Sequence, residues 1–183
     1  MSWRLLACGY LCGKLALLFA GTAPNVGRWQ VLDVRGDTVE LLPGGVEHAL
    51  VLTHTRYTCS ACYQHFGDSL RGWMRMLDTA ARLPVLLVTG AATSGFGRRT
   101  VARWMRALCP VITEVRFAFP GGTLPEALRE ALQQDRFVIA YCHRGGCEWV
   151  VAYEQLERSA VERRRFLERL AQALRGFSAR RGP

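Results

Sequence analysis

Ala49-Leu50-Val51-Leu52, followed seven residues after its end by Cys59-Ser60-Ala61-Cys62, is the stretch that decides how this chain is read. The apolar run has the length and composition of a buried strand. After the cysteines, Tyr63, Phe66, Leu70, Trp73, Leu77 and Ala81 recur every three or four residues, which predicts a helix with one apolar face. Two thiols at the start of a helix, straight after a strand, have a specific chemical use. Cys59 lies near the unpaired N–H groups and positive dipole end of the helix, which favours thiolate over thiol. Cys62, one turn in, is close enough to attack a mixed disulfide formed by Cys59. The pattern therefore predicts a dithiol/disulfide exchange site with Cys59 attacking and Cys62 resolving. A structural disulfide, two buried thiols or half of a metal site are the competing readings of the same spacing.

Three neighbours bear on that chemistry. His54 and Arg56 precede the motif and raise the thiolate fraction if they face it; otherwise they are solvated loop residues. His65, three residues after Cys62, falls on the same helical face. It is a candidate to assist proton transfer, or a side chain that only meets solvent.

Working outward, Trp29 to Val34 and Thr38 to Leu42 read as two short strands around Arg35-Gly36-Asp37, a hairpin-turn composition. Pro43-Gly44-Gly45 breaks the chain before the buried strand. Pro84 to Thr89 is a continuous apolar run of the kind a central parallel strand carries. A helix from about Arg98 to Leu108 is two-faced, with Val101, Trp104, Met105 and Leu108 on one side and Arg99, Arg103 and Arg106 on the other. Val111 to Phe119 is a further strand and Leu124 to Gln133 a short helix. Phe137 to Tyr141 and Glu148 to Tyr153 form a hairpin around His143-Arg144-Gly145-Gly146, and a helix from about Ser159 to Phe177 closes the chain. Strands alternating with helices, then a hairpin and a last helix, describe an α/β sandwich around a mixed sheet.

This order resembles the thioredoxin fold, and within it the TlpA-like/redoxin branch, from about Ala23 to Leu174. Branch members begin with a strand-turn-strand of the form L-x-D-x-x-G-x-x-V-x-L, and Leu32-Asp33-Val34-Arg35-Gly36-Asp37-Thr38-Val39-Glu40-Leu41 is close to it. A buried strand running into C-x-x-C matches Ala49 to Cys62, and the closing hairpin and helix match Phe137 to Leu174. The resemblance implies a thioredoxin-like mixed sheet flanked by helices with an N-terminal β-hairpin. It also implies thiol–disulfide exchange with protein thiols and disulfides, with no metal or organic cofactor. Two departures stand out. Tyr57-Thr58 occupies the place of the aromatic that usually precedes the first cysteine. The cis-proline expected before the hairpin, near Arg136-Phe137, is missing, since no proline lies between Leu128 and Glu157. Thr55 and Thr58 precede Cys59, but the Pro-x-x-x-Thr-x-x-Cys pattern of peroxidases in the family is absent.

Cys142 and Cys147 flank a four-residue turn, which would set them directly opposite with Cα atoms about 4.5–5.5 Å apart. A hairpin disulfide is the favoured reading. A second redox relay with Cys59/Cys62, or a thiolate/imidazole metal site that adds His143, are the alternatives. Cys109, before Pro110, reads as a core thiol at the end of its helix.

Half of the 183 residues are hydrophobic, enough for one substantial core. Residues 1–23 read as a signal peptide or short membrane anchor. Arg4 precedes an apolar run, Gly21-Thr22-Ala23 supplies small residues, and the run is far short of the roughly 20 residues a comfortable span needs. Residues 24–178 then form the domain and 179–183 a disordered tail. The expected location is exported, periplasmic or membrane-anchored facing the periplasm, which suits paired cysteines. The net charge of +9 comes from a chain in which Lys14 is the only lysine. The Arg99/Arg103/Arg106 face and Arg163-Arg164-Arg165 read as solvated surface, or as contacts for an anionic membrane or acidic partner, including a membrane-associated redox partner. No nucleic acid is expected, because aromatics are not interleaved with the arginines. The competing class is a non-catalytic metal-binding or scaffold protein of an envelope or secretion assembly.

Overall fold

The computed structural model describes residues 29–53, 60–76, 83–90 and 94–180. The leader 1–23, His54, Arg56, Cys59 and residues 181–183 lie outside them, as does the side chain of Cys62. Seven strands form one sheet: β1 Gln30–Leu32, β2 Thr38–Glu40, β3 His48–Thr53, β4 Val85–Thr89, β5 Glu114–Phe117, β6 Val138–His143 and β7 Gly146–Ala152. The described helices are α1 Ser60–Met76, α2 Gly95–Leu108, α3 Glu126–Gln133, α4 Tyr153–Arg158 and α5 Ala160–Arg180. No helix of the described residues is long and apolar enough to cross a membrane.

The sheet order is β2-β1-β5-β4-β3-β6-β7. β3, β4 and β5 are parallel neighbours, while β6 runs antiparallel to β3 and β7 antiparallel to β6. The segment β4-β3-β6-β7, with a helix between β3 and β4 and helices after β7, is the thioredoxin-like arrangement. An N-terminal hairpin, β1-β2, extends the sheet beyond β5.

Strand alternation divides the core in two. Leu50, Leu52, Val85, Leu87, Ile139 and Tyr141 face a layer formed by α1, α2, α4 and α5. Ala49, Val51, Leu86, Val88, Val138, Ala140 and Cys142 face α3 through Leu128 and Ala131, and the hairpin through Val31 and Leu41. α1 approaches the end of α2 closely at Gly67. A Cβ on Gly67 would lie 3.0 Å from the Cys109 sulfur.

Several boundaries differ from the sequence expectation. The β6-β7 turn is shorter, because His143 pairs with Gly146 and leaves only Arg144-Gly145 between the strands. Tyr153 opens a short helix, α4, instead of ending a strand, and the closing helix expected from about Ser159 follows it. Ser159 separates α4 from α5, its hydroxyl accepting the Glu162 N–H at 3.2 Å as a cap does. α5 then continues to Arg180.

In the β1-β2 turn, Asp33 accepts the N–H groups of Arg35, Gly36 and Asp37 at 2.7, 2.8 and 3.0 Å. Burial pushes the Asp33 carboxyl up, but these donors, with Arg116 nearby, outweigh it and hold the carboxyl below its ordinary value.

Candidate functional site

The described part of α1 starts at Ser60, the residue after Cys59 in sequence, and Cys62 is its third residue. The unpaired N–H groups of a helix start are those of its first turn. No acidic residue in that turn offsets the positive end of the dipole. The strand that leads into the motif, β3, is flanked by β4 and β6 and ends at Thr53.

Thr53 is a residue the apolar-run reading passed over. It is fully buried, and its hydroxyl makes two hydrogen bonds to the chain entering β6. It donates to the Arg136 carbonyl at 2.6 Å and accepts the Val138 N–H at 3.0 Å. The segment it holds is set up by the end of α3. There the Arg136 N–H bonds to the Ala131 carbonyl at 2.8 Å and the Asp135 N–H to the Leu132 carbonyl at 3.3 Å. Asp135 takes the left-handed conformation, φ 51°, that this helix ending needs.

Between Arg136 and Val138 stands Phe137, in the place where the resemblance implies a cis-proline. No peptide bond among the described residues is cis. Phe137 instead packs edge-on against Phe66 of α1, ring centroids 5.2 Å apart, and at a tilt against Tyr153 at 5.1 Å. Phe66 meets Tyr153 edge-on as well. Three aromatics thus brace α1 against the start of β6 and the start of α4. The sequence signal for this is slight: a polar residue closing a buried run, and an aromatic at the head of a predicted strand.

His65 is a surface residue of α1. Its Nε2 lies 3.0 Å from the Glu157 carboxylate on α4, and both side chains are about half exposed.

Cys142 and Cys147 are joined in a disulfide across the β6-β7 pair, Cα atoms 4.0 Å apart. Cys142 pairs with Ala49, near the beginning of β3, whereas the chain leaves β3 for Cys59 at Thr53. Four residues of extended strand separate those points by about 13 Å. The disulfide also faces α3, with the sheet between it and α1. The disulfide thus lies at the far end of β3 from Thr53 and on the α3 side of the sheet. Among the described residues no cluster of three or more His, Cys, Asp or Glu side chains suits a metal ion.

On the opposite face of the sheet from the disulfide lies a stacked aromatic group. The Tyr141 ring is parallel to His48 on one side (5.7 Å) and to Trp149 on the other (4.9 Å). Its hydroxyl shares a 2.5 Å hydrogen bond with His48 Nδ1. Burial, reinforced by Glu148, raises the Tyr141 pKa. The Gly145 N–H donates to His143 Nδ1 at 2.9 Å, which leaves Nε2 to donate to Glu148 at 3.2 Å. Trp149 has φ 49° at an irregularity in the β6-β7 register, a bulge that turns the strand there.

Cys109, the free thiol among the described residues, is fully buried at the C-cap of α2. Burial pushes its pKa up to about 11, against weaker opposing hydrogen bonds from the Val111 and Ile112 N–H groups. It is a packed thiol and not a nucleophile.

The sequence matches no family model, and no curated protein matches it. Solved structures do resemble it. A peroxiredoxin-like protein from Aquifex aeolicus superposes with a TM-score of 0.41 at 9% identity, covering 69% of this chain and 72% of that one. A conserved protein of unknown function from Bacteroides fragilis gives 0.42 at 14%, over 71% and 91%. The solution structure of a putative thiol-disulfide oxidoreductase from Bacteroides vulgatus gives 0.39 at 11%, over 72% and 78%.

Proposed function

We propose that this protein is a thiol–disulfide oxidoreductase that exchanges disulfides with partner proteins through Cys59 and Cys62. The observation that supports the reading is that α1 is helical from Ser60, the residue after Cys59, onward, on the chain that leaves β3. In the reducing direction the Cys59 thiolate attacks a partner disulfide. One sulfur–sulfur bond forms, one breaks, and a partner thiolate leaves. The Cys62 thiolate then attacks Cys59 and releases the second partner thiolate, so two electrons pass to the partner and the Cys59–Cys62 disulfide remains. The oxidising direction is the reverse. His54, Arg56 and His65 are the proposed tuners of the thiolate.

We further propose that a leader, residues 1–23, delivers the domain 24–178 to the periplasmic side of a membrane, free or anchored. The Cys142–Cys147 disulfide supports an oxidising compartment. Protein thiols and disulfides are the partners in this reading, one of them membrane-associated.

The test is trapping. Cys62→Ser removes the resolving thiol, and the reading predicts stable mixed disulfides through Cys59 that thiol reductant releases. Stoichiometric metal that is lost with either cysteine, and no trapped partner, would support the metal-binding alternative.

A further inference from the structure

The two arginine clusters that look alike in sequence are different in the fold. On α5, Arg164 pairs with Glu168 at 2.8 Å, Arg165 pairs with Glu162 at 2.9 Å, and Arg163 donates to the Leu156 carbonyl at 3.1 Å. On α2, Arg99, Arg103 and Arg106 are exposed, and among the described residues no carboxylate pairs with them. The local sequence explains why. No acidic residue occurs between Asp78 and Glu114, so no carboxylate lies three or four residues away on the helix.

The same helix carries two of the three large hydrophobic side chains exposed among the described residues. Phe96 is 77% exposed and Trp104 44%. Helical geometry sets Phe96 and Arg103 near the middle of the outward face, Arg99 and Arg106 on one flank, and Trp104 on the other. The opposite face is fixed in the fold by Ala102 and Met105. Beside the arginine flank, Val34 and Ala102 floor a groove of about 330 Å³ bordered by Arg99, Arg103 and Arg106.

We infer that the outward face of α2 docks on an anionic phospholipid surface. Guanidiniums without internal partners are positioned to meet lipid phosphates, and long arginine stems let the helix sit low while their charges stay at the headgroups. Phe96 and Trp104 supply the apolar insertion that an acidic polypeptide would not require. This inference is independent of the redox reading.

The test uses the full chain and vesicles of phosphatidylcholine with and without phosphatidylglycerol, the readout being the ratio of the two affinities so that any leader contribution is common to both. The triple variant Arg99→Gln/Arg103→Gln/Arg106→Gln is expected to lower that ratio about a hundredfold. The charge-matched triple Arg163→Gln/Arg164→Gln/Arg165→Gln is expected to lower it less than about tenfold, since two of those charges are already neutralised by pairing. Phe96→Ser is expected to weaken binding to the anionic vesicles by about tenfold or more. Equal losses from the two triples, or no loss from either α2 variant, would overturn the inference. So would vesicle-independent capture of polyglutamate that the α2 triple abolishes, which would assign the face to an acidic polypeptide.

Discussion

The Thr53 hydroxyl holds the peptide segment that enters β6, donating to the carbonyl of Arg136 and accepting from the N–H of Val138. The last residue of the strand that leads to the cysteines is thereby bonded to the segment where the family resemblance implies a cis-proline. In this chain a buried threonine and the Phe137 ring position that backbone.

Thr53→Val keeps the shape and removes both bonds, leaving the buried Val138 N–H and the partly buried Arg136 carbonyl without this partner. Each costs about 1–3 kcal/mol, so urea denaturation is expected to show a loss of about 2–5 kcal/mol. Thr53→Ser retains the hydroxyl and is expected to lose only about 1 kcal/mol, the contribution of one buried methyl. Equal losses from the two would mean that the hydroxyl is not the element that matters.

The Cys142–Cys147 disulfide closes a short loop, sequence separation 5, at the end of the sheet away from Thr53. Replacing both cysteines with alanine is expected to cost about 2 kcal/mol of stability by the loop-entropy relation. Disulfide exchange with a model substrate should be unchanged, because the sheet separates this pair from α1. A large fall in exchange rate in the folded variant would tie the two pairs together.

Cys109 makes stability pH-dependent on the alkaline side. Its thiol is held protonated to about 11 in the fold, above the ordinary value of 9.0. Its contribution is complete below pH 9 and is lost as the pH rises through 11, because the unfolded chain releases the proton first. The loss is on the order of 2 kcal/mol. Cys109→Ala should flatten the stability profile between those pH values relative to wild type, and in the native protein the thiol should resist alkylation at neutral pH.

The local patterns carried much of this architecture in the sequence. Ala49 to Leu52 and Pro84 to Thr89 could only be buried strands, and the recurrence of Phe66, Leu70 and Trp73 fixed the inner face of α1. What escaped is what depends on contacts distant in sequence. Thr53 looks like the polar end of an apolar run until Arg136 and Val138, 83 and 85 residues away, are beside it. Phe137 looks like an ordinary strand residue until Phe66 and Tyr153 close around it. The start of α5 at Ser159 was legible, but Tyr153, at the end of an apolar run, reads as a strand residue and hid the short helix α4 that it opens. Cys142 and Cys147 announced their pairing by spacing alone, whereas their place beside Ala49, four residues from the Thr53 end of β3, required the β3-β6 register.

The rate of iodoacetamide alkylation at Cys59, followed by peptide mass analysis as a function of pH in the Cys62→Ser variant, tests the redox reading most directly. A sulfur made acidic by the start of α1 is expected to be half ionised at or below about pH 7, so its alkylation should already be at plateau by pH 8. A rate that is still rising through about pH 8.5, as for an ordinary thiol, or a Cys59 that is not alkylated at all, would contradict it.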